Sequence, residues 1–398
     1  MRILLLSFFY PPDLSAGAFR TKSIVEALKD QGLKNLKVYV ISTMPNRYSS
    51  FNAPTLKRSN KDEVFVYRTP LLFKNDNKFT QILRFTIYGI LAWREAKKYN
   101  WDIVVATSGR LFTATLASII ARRCKAPLYL DIRDLFVDTI SDLSKGKLIY
   151  LFVPIFKWIE KITLRSAQKI NFVSSGFIPY ANKIIPNKIF STFSNGIDED
   201  FLLYNFNKPK DLTNTAPLIV YAGNFGDGQG LHYIIPQVAK FMGSTVRFRL
   251  IGGGNRIAEL KNVILKSNLS NVELLPPVKR EDLLYHYKEA DILLLHLNNQ
   301  LAFEKVLPSK IFEYAATNKP ILAGVSGYAA KFIKTQVIGA EVFMPHDSSG
   351  MISALKKIIK HKSNINRDVF CKKYSRKRIM TQMTKDILNI KVKNARYS

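Results

Sequence analysis

The 398-residue chain is poor in cysteine, in acidic side chains and in long apolar runs, and each shortage excludes something. Cys124 and Cys371 are the two cysteines, far apart and without CxxC spacing, so neither a disulfide framework nor a structural zinc site is available. A reducing, cytoplasmic setting is expected. The apolar runs at residues 85–93 and 148–156 are nine residues each, against the about 20 that a spanning helix needs, so no transmembrane helix is expected. The opening MRILLL run breaks at Pro11-Pro12 with no small-residue cleavage site after it, and no secretory signal is expected. Glycine and proline are scattered without a period, which excludes collagen-like and low-complexity chains. The five histidines (His232, His286, His296, His346 and His361) show no ligand spacing, so no metal site is expected, and His296 reads as a satisfied strand histidine.

Acid is scarce: 30 Asp+Glu face 60 Lys+Arg, a net charge of +30. With 47% apolar residues this is no disordered chain, because charge predicts disorder only when hydrophobicity is low. Residues 1–194 hold 30 basic and 13 acidic side chains (+17), and the rest hold 30 and 17 (+13), so the excess is not a tail. Nucleic acid, an anionic membrane surface and anionic small molecules are the open partners. Zinc-finger spacing, an aromatic RNP-like block and an arginine-rich run are all missing, so nucleic acid is not expected. A lysine-rich solvated surface is the competing reading for any single basic residue.

Short apolar runs alternate with amphipathic stretches along the whole chain. Strands are expected at residues 3–10, 38–43, 102–108, 127–131 and 169–175, with a helix at 19–31 ending at Gly32. After a polar, linker-like stretch at 205–215 the grammar restarts, with strands at 217–222, 246–251, 272–275, 292–297, 320–323 and 341–344. Helices are expected at 231–242 and 281–290. This βαβ alternation predicts an α/β protein of two doubly wound, Rossmann-like domains facing a cleft. The expected domains are 1–194, 195–374 and a C-terminal helix, 375–398, that packs back on the first.

Ligands of such sheets bind at strand carboxyl ends, beside helix N-termini. Four segments fall there. Gly17 lies in a small-residue turn before Arg20. Gly223, Asn224, Gly226 and Gln229 belong to the glycine-rich run YAGNFGDGQG at 221–230. Gly253 is the middle of the triplet at 252–254. Ser309, Lys310 and Glu313 stand in a segment where Pro308 suits a helix's first turn, with Lys310 and Glu313 three apart on one face. A cation for phosphate beside a carboxylate for ribose hydroxyls suits a nucleotide sugar. Tight structural turns and an exposed ion pair are the competing readings.

NGID at 195–198, LIGGG at 250–254 and PSKIFEYAATNKPILAG at 308–324, in that order, resemble the retaining, metal-independent GT-B glycosyltransferases of family 4. YAGNFGDGQGL and DIRDLF (131–136) are similar to the subgroup that builds bacterial O-antigen and capsule chains, including N-acetylfucosaminyl transferases. The resemblance implies that Glu313 binds the donor ribose, as the second Glu of an E-x7-E motif, and that Gly17 faces the donor. Asn224 and Gln229 stand where many members carry a phosphate-binding Arg and Lys, and Lys310 can supply that charge. Lys305 occupies the first Glu position, with Glu304 one residue early. Asp131, Arg133 and Asp134 fall where relatives present catalytic or acceptor-facing groups, and Asp134 is the expected catalytic residue beside Lys310, with helix capping as the competing reading. The tripeptide at 198–200 (DED) matches a metal-binding DxD pattern and reads as a chance match.

The implied activity is transfer of a sugar, N-acetylated in some relatives, from a UDP-sugar to a lipid-linked saccharide, without cofactor, at the cytoplasmic membrane face. Residues 79–98 and 148–162 mix aromatic and basic side chains and are candidate interfacial segments, core-facing helices being the competing reading. A sugar-nucleotide epimerase or phosphorylase on the same fold, and a non-catalytic basic binding protein, are the rival functions.

Overall fold

The computed structural model describes residues 1–13, 15–45, 55–70, 78–135, 137, 152–207, 216–360 and 364–394. The chain forms two compact units. The first is Met1–Asn195 with the segment from Arg376 onward; the second is Gly196–Ser375. Most of the linker-like stretch, 208–215, lies outside the described residues, and the unit boundary falls before it.

The first unit is built on an eight-stranded sheet. Its strands are β1 (Arg2–Leu6), β2 (Lys37–Thr43), β3 (Arg58–Lys61), β4 (Val64–Thr69), β5 (Ile103–Ser108), β6 (Leu128–Ile132), β7 (Lys169–Phe172) and β8 (Phe190–Ser191). Their order is β3-β4-β2-β1-β5-β6-β7-β8, parallel except for the β3–β4 pair. β1 sits at the switch point, pairing with β2 on one side and β5 on the other. Leu4, Leu5 and Leu6 are fully buried there. Such continuous apolar runs are what parallel strands covered on both faces require.

The second unit carries six parallel strands: β9 (Leu218–Asn224), β10 (Arg247–Gly253), β11 (Val272–Leu275), β12 (Ile292–His296), β13 (Ile321–Gly324) and β14 (Ala340–Phe343). Their order, β11-β10-β9-β12-β13-β14, is the doubly wound Rossmann order, with the switch point between β9 and β12. Alternation along β9 divides two cores. Leu218, Val220 and Ala222 join one cluster, and Ile219 and Tyr221 the other. The same parity splits Leu293 and Leu295 from Ile292 and Leu294.

The helix Arg376–Asn394 belongs to the first unit, where it packs on the helix Ala16–Lys29. Met383 and Ile387 are buried, Gln31 Nε2 donates to Thr384 Oγ1 at 3.1 Å, and the Asp386 carboxylate takes Lys169, Ser191 and Tyr129. Among the described residues no helix is long and apolar enough to cross a membrane.

Candidate functional site

Beside the switch point of the second sheet, the carboxyl ends of β9 and β10 run backbone against backbone. Gly223 closes the β9 side with φ +156°, and Gly252 and Gly254 on the β10 side have φ +145° and +156°. A Cβ on Gly252 would collide with the Gly223 carbonyl oxygen, and one on Gly254 would lie 2.6 Å from Phe225 O. These positions demand glycine twice over, by conformation and by space. Gly253, the expected ligand-facing member, is the tolerant one: a Cβ there meets Pro277 Cγ at 3.6 Å, ordinary contact. The junction is laced by Phe225 N donating to Gly253 O at 2.8 Å and by Asp227, which accepts from Asn255 (2.6 Å) and Arg256 Nε (2.7 Å).

Lys310 reaches into this junction. It is the first residue of the helix Lys310–Ala315, with Ser309 as an N-cap whose side chain makes no capping bond; Pro308 stands just outside the helix. The end of the Lys310 side chain lies across Gly223, so that a Cβ there would be 2.5 Å from Cε and 2.6 Å from Nζ. Its ammonium is 5.9 Å from the centre of the Tyr221 ring. Burial lowers the Lys310 pKa below the ordinary lysine value, and the Glu313 carboxylate pulls it back up. The structure thus brings Gly223, Lys310 and Glu313 to one strand end. Asn224 and Gln229 bond each other, Nδ2 to Oε1 at 2.8 Å, around Gly226. Glu304 is exposed in the turn Leu301–Lys305, with its backbone packed on Gly327.

His296, at the end of β12, holds the glycine loop from below. Its Nδ1 meets Gln229 O at 2.6 Å, and its Nε2 accepts from His346 N at 3.4 Å. A carbonyl can only accept, so Nδ1 carries the proton and the ring is neutral. Burial pushes its pKa down to about 4. Asp198 and Asp200 of the DED tripeptide both pair with Arg280, at 2.5 and 2.8 Å, and Arg280 stacks over Phe201.

The first unit presents a second set at the ends of β1, β5 and β6. Gly17 lies in the first turn of its helix, so close under Arg133 Nη1 that a Cβ would collide with it. Asp134 keeps some contact with solvent, but its carboxyl sits in a recess lined by Leu111, Leu135 and Phe172 and lies over Gly109, its Oδ2 2.6 Å from where a Cβ would sit. The protein crowding around it pushes its carboxyl up to about 6, against the pull of Arg133. Arg20 requires correction. It is fully buried, with Nε and Nη2 on Asp131 at 2.7 and 2.8 Å and further bonds to the carbonyls of Phe193 and Ser194. A saturated, buried guanidinium is not available to a nucleotide. Asp131 is its partner and equally buried. Burial alone would raise this carboxyl, but Arg20, Thr107 and Asn171 outweigh that and hold it below the ordinary range. Both side chains are turned into the first unit, with no exposed surface.

Sequence reasoning found the triplet 252–254 but not that Gly252 and Gly254 are its strict members, and it missed the bridging role of His296 and the closeness of Arg133 to Gly17. A triplet of glycines at the end of a strand is a readable signal; which of them is strict depends on the strand it pairs with.

Residues 205–378 match the family model described as glycosyl transferases group 1. The chain is 25% identical over 339 residues to the Escherichia coli K12 protein named as the colanic acid biosynthesis glycosyl transferase WcaI, covering 78% of this chain and 80% of that one. Among solved structures, Anabaena Alr3699/HepE with UDP and glucose is similar at TM-score 0.70 and 14% identity, over 98% of this chain and 99% of that one. The lipopolysaccharide glycosyltransferase WaaG is similar at TM-score 0.63 and 15% identity, over 99% and 98%. The second unit therefore carries a glycosyl transferase group 1 domain, which makes the chain a transferase, and the fold is that of the GT-B glycosyltransferases.

Proposed function

We propose, from that domain, that this chain is a retaining, metal-independent glycosyltransferase of surface polysaccharide synthesis. It moves a sugar from a UDP-sugar to a lipid-linked saccharide at the cytoplasmic face of a membrane. The observation that carries the reading is Lys310 lying across Gly223 with Glu313 on the same short helix, inside the matched domain. As the sugar–phosphate bond breaks, negative charge grows on the departing diphosphate. A preplaced ammonium and the backbone N–H groups of the glycine loop stabilise that charge, while Glu313 accepts from ribose hydroxyls. Asp198 and Asp200 are occupied by Arg280, which supports a phosphate clamp built from protein cations alone. The HepE structure was solved with UDP and glucose, which favours UDP as the nucleotide. On the first unit, Asp134 and Arg133 are the groups offered to the acceptor.

Peripheral attachment is supported by the helix Val153–Ser166. Ile155, Trp158 and Ile162 line one face and are 50%, 63% and 39% exposed, flanked by exposed Lys157, Lys161 and Arg165. Such a face suits an anionic bilayer interface. Phe156 packs inward, against Phe112, and residues 148–151 lie outside the described residues.

The test is calorimetry against UDP, GDP, CDP, dTDP and ADP, with and without EDTA. Saturable, EDTA-insensitive binding of UDP that weakens about 10- to 100-fold in Lys310→Ala and in Glu313→Ala is expected. Binding of no diphosphate, with tight binding of an oligonucleotide, would overturn the reading.

A further inference from the structure

We propose that Arg367 is a positioning residue for the donor site: its guanidinium clamps the C-terminal end of the helix Lys310–Ala315 and so fixes Lys310 and Glu313 where a nucleoside diphosphate meets them. This rests on the donor reading above and deepens it.

Arg367 is 2% exposed, and every acceptor around its guanidinium is a main-chain carbonyl. Nε donates to Ile338 O at 2.7 Å, Nη1 to Lys319 O at 3.0 Å and Ala315 O at 3.4 Å, and Nη2 to Gly339 O at 3.4 Å. Its own N–H donates to Asn318 Oδ1 at 3.0 Å. No carboxylate pairs with it among the described residues. Burial lowers its pKa to about 10, so the side chain stays charged at neutral pH. A buried cation without a counter-ion is costly, and it persists only where dipoles converge on it.

The convergence is at one place. Ala315 is the last residue of the helix that Lys310 begins, and carbonyls at a helix C-terminus carry its partial negative charge. The six-residue helix is about 9 Å long, so the clamp holds one end and Lys310 stands at the other. Lys319 leads into β13, and Ile338 and Gly339 lead into β14. Arg367 therefore ties this helix to two strands of the sheet. A helix of under two turns has little stiffness of its own, and its fixed position must come from such ties.

The experiment is calorimetry of UDP with wild type, Arg367→Lys and Arg367→Met, well below each protein's melting temperature, with circular dichroism confirming that each is folded. Arg367→Met removes all five donors and should weaken UDP binding at least tenfold. Arg367→Lys keeps the charge and should recover part of the loss. In donor kinetics the KM should rise with these Kd values while kcat changes less than threefold. If Arg367→Met does not fold, Arg367→Gln decides the matter: it is shorter and uncharged, keeps one amide donor group for the carbonyls, and should weaken UDP binding at least about threefold in the folded protein. Folded variants that bind UDP as wild type does, with only a lower melting temperature, would reduce Arg367 to a stabilising residue and overturn the inference. If wild type binds no diphosphate at all, the donor reading itself falls and takes the inference with it.

Discussion

Protonating His296 should unfasten the glycine loop, and its cost can be worked from the structure. The ring bridges Gln229 O and His346 N with both nitrogens, and its pKa in the folded protein is about 4, against about 6.5 for a free histidine. Between those values the unfolded chain binds more protons than the folded one, so stability falls as pH is lowered from about 6.5 to 4 and then levels off. At about 1.4 kcal/mol for each tenfold change in proton affinity, the window is worth about 3 kcal/mol. His296→Asn supplies an amide N–H for Gln229 but cannot titrate. It should be less stable than wild type by about 1–2 kcal/mol at pH 7, where one bond is lost, and equal or more stable near pH 4. Ring-nitrogen NMR should show a neutral Nδ1–H tautomer, and urea unfolding from pH 4 to 7.5 should show the two curves converging or crossing. A constant gap between wild type and variant across that range would refute the reasoning.

Gly252→Ala should cost at least about 2 kcal/mol, because a methyl group there strikes the Gly223 carbonyl, whereas Gly253→Ala should change stability by under about 0.5 kcal/mol; thermal unfolding of the pair checks this. Arg20→Met should destabilise the first unit by roughly 3–5 kcal/mol by stranding the buried Asp131 charge, while the folded fraction keeps wild-type UDP affinity in calorimetry. Replacing Ile155, Trp158 and Ile162 with serine should release the protein from phosphatidylglycerol vesicles in a flotation assay without lowering its melting temperature, since these side chains are exposed. In acceptor-saturated kinetics, Asp134→Asn should remove an activity limb near pH 6, below which the wild-type carboxyl is protonated.

The strands were readable where burial on both faces leaves an unbroken apolar run, as in β1, β5 and β12, and the second unit's six strands were all expected within a residue or two. β3 was not: Arg58-Ser59-Asn60-Lys61 is a polar edge strand with no apolar signal, and β4 was lost with it. The placement of Lys310 beside Glu313 follows from local spacing, so it was legible. The burial of Arg20 was not legible because its partner, Asp131, is 111 residues away, and only the folded sheet shows that the guanidinium turns inward. The same limit applied to the glycine triplet, whose strict members are chosen by its pairing with β9. Arg367 lies beyond the last recognisable motif, and its acceptors are backbone atoms, which leave no trace in side-chain patterns.

The return of the helix Arg376–Asn394 to the first unit bears on how the protein is made. A ribosome delivers Met1–Asn195 long before the helix that covers Met383's neighbour Arg20 and supplies Asp386 to Lys169, Ser191 and Tyr129. The second unit is continuous in sequence and can close while synthesis proceeds; the first must wait, with one flank of its core uncovered, until the far end of the chain emerges. Nascent-chain proteolysis should therefore find the second unit protected first. An expression fragment cut at Asn195 should be the insoluble one, and a damaging change near Met383 should be felt in the half of the protein farthest from it in sequence.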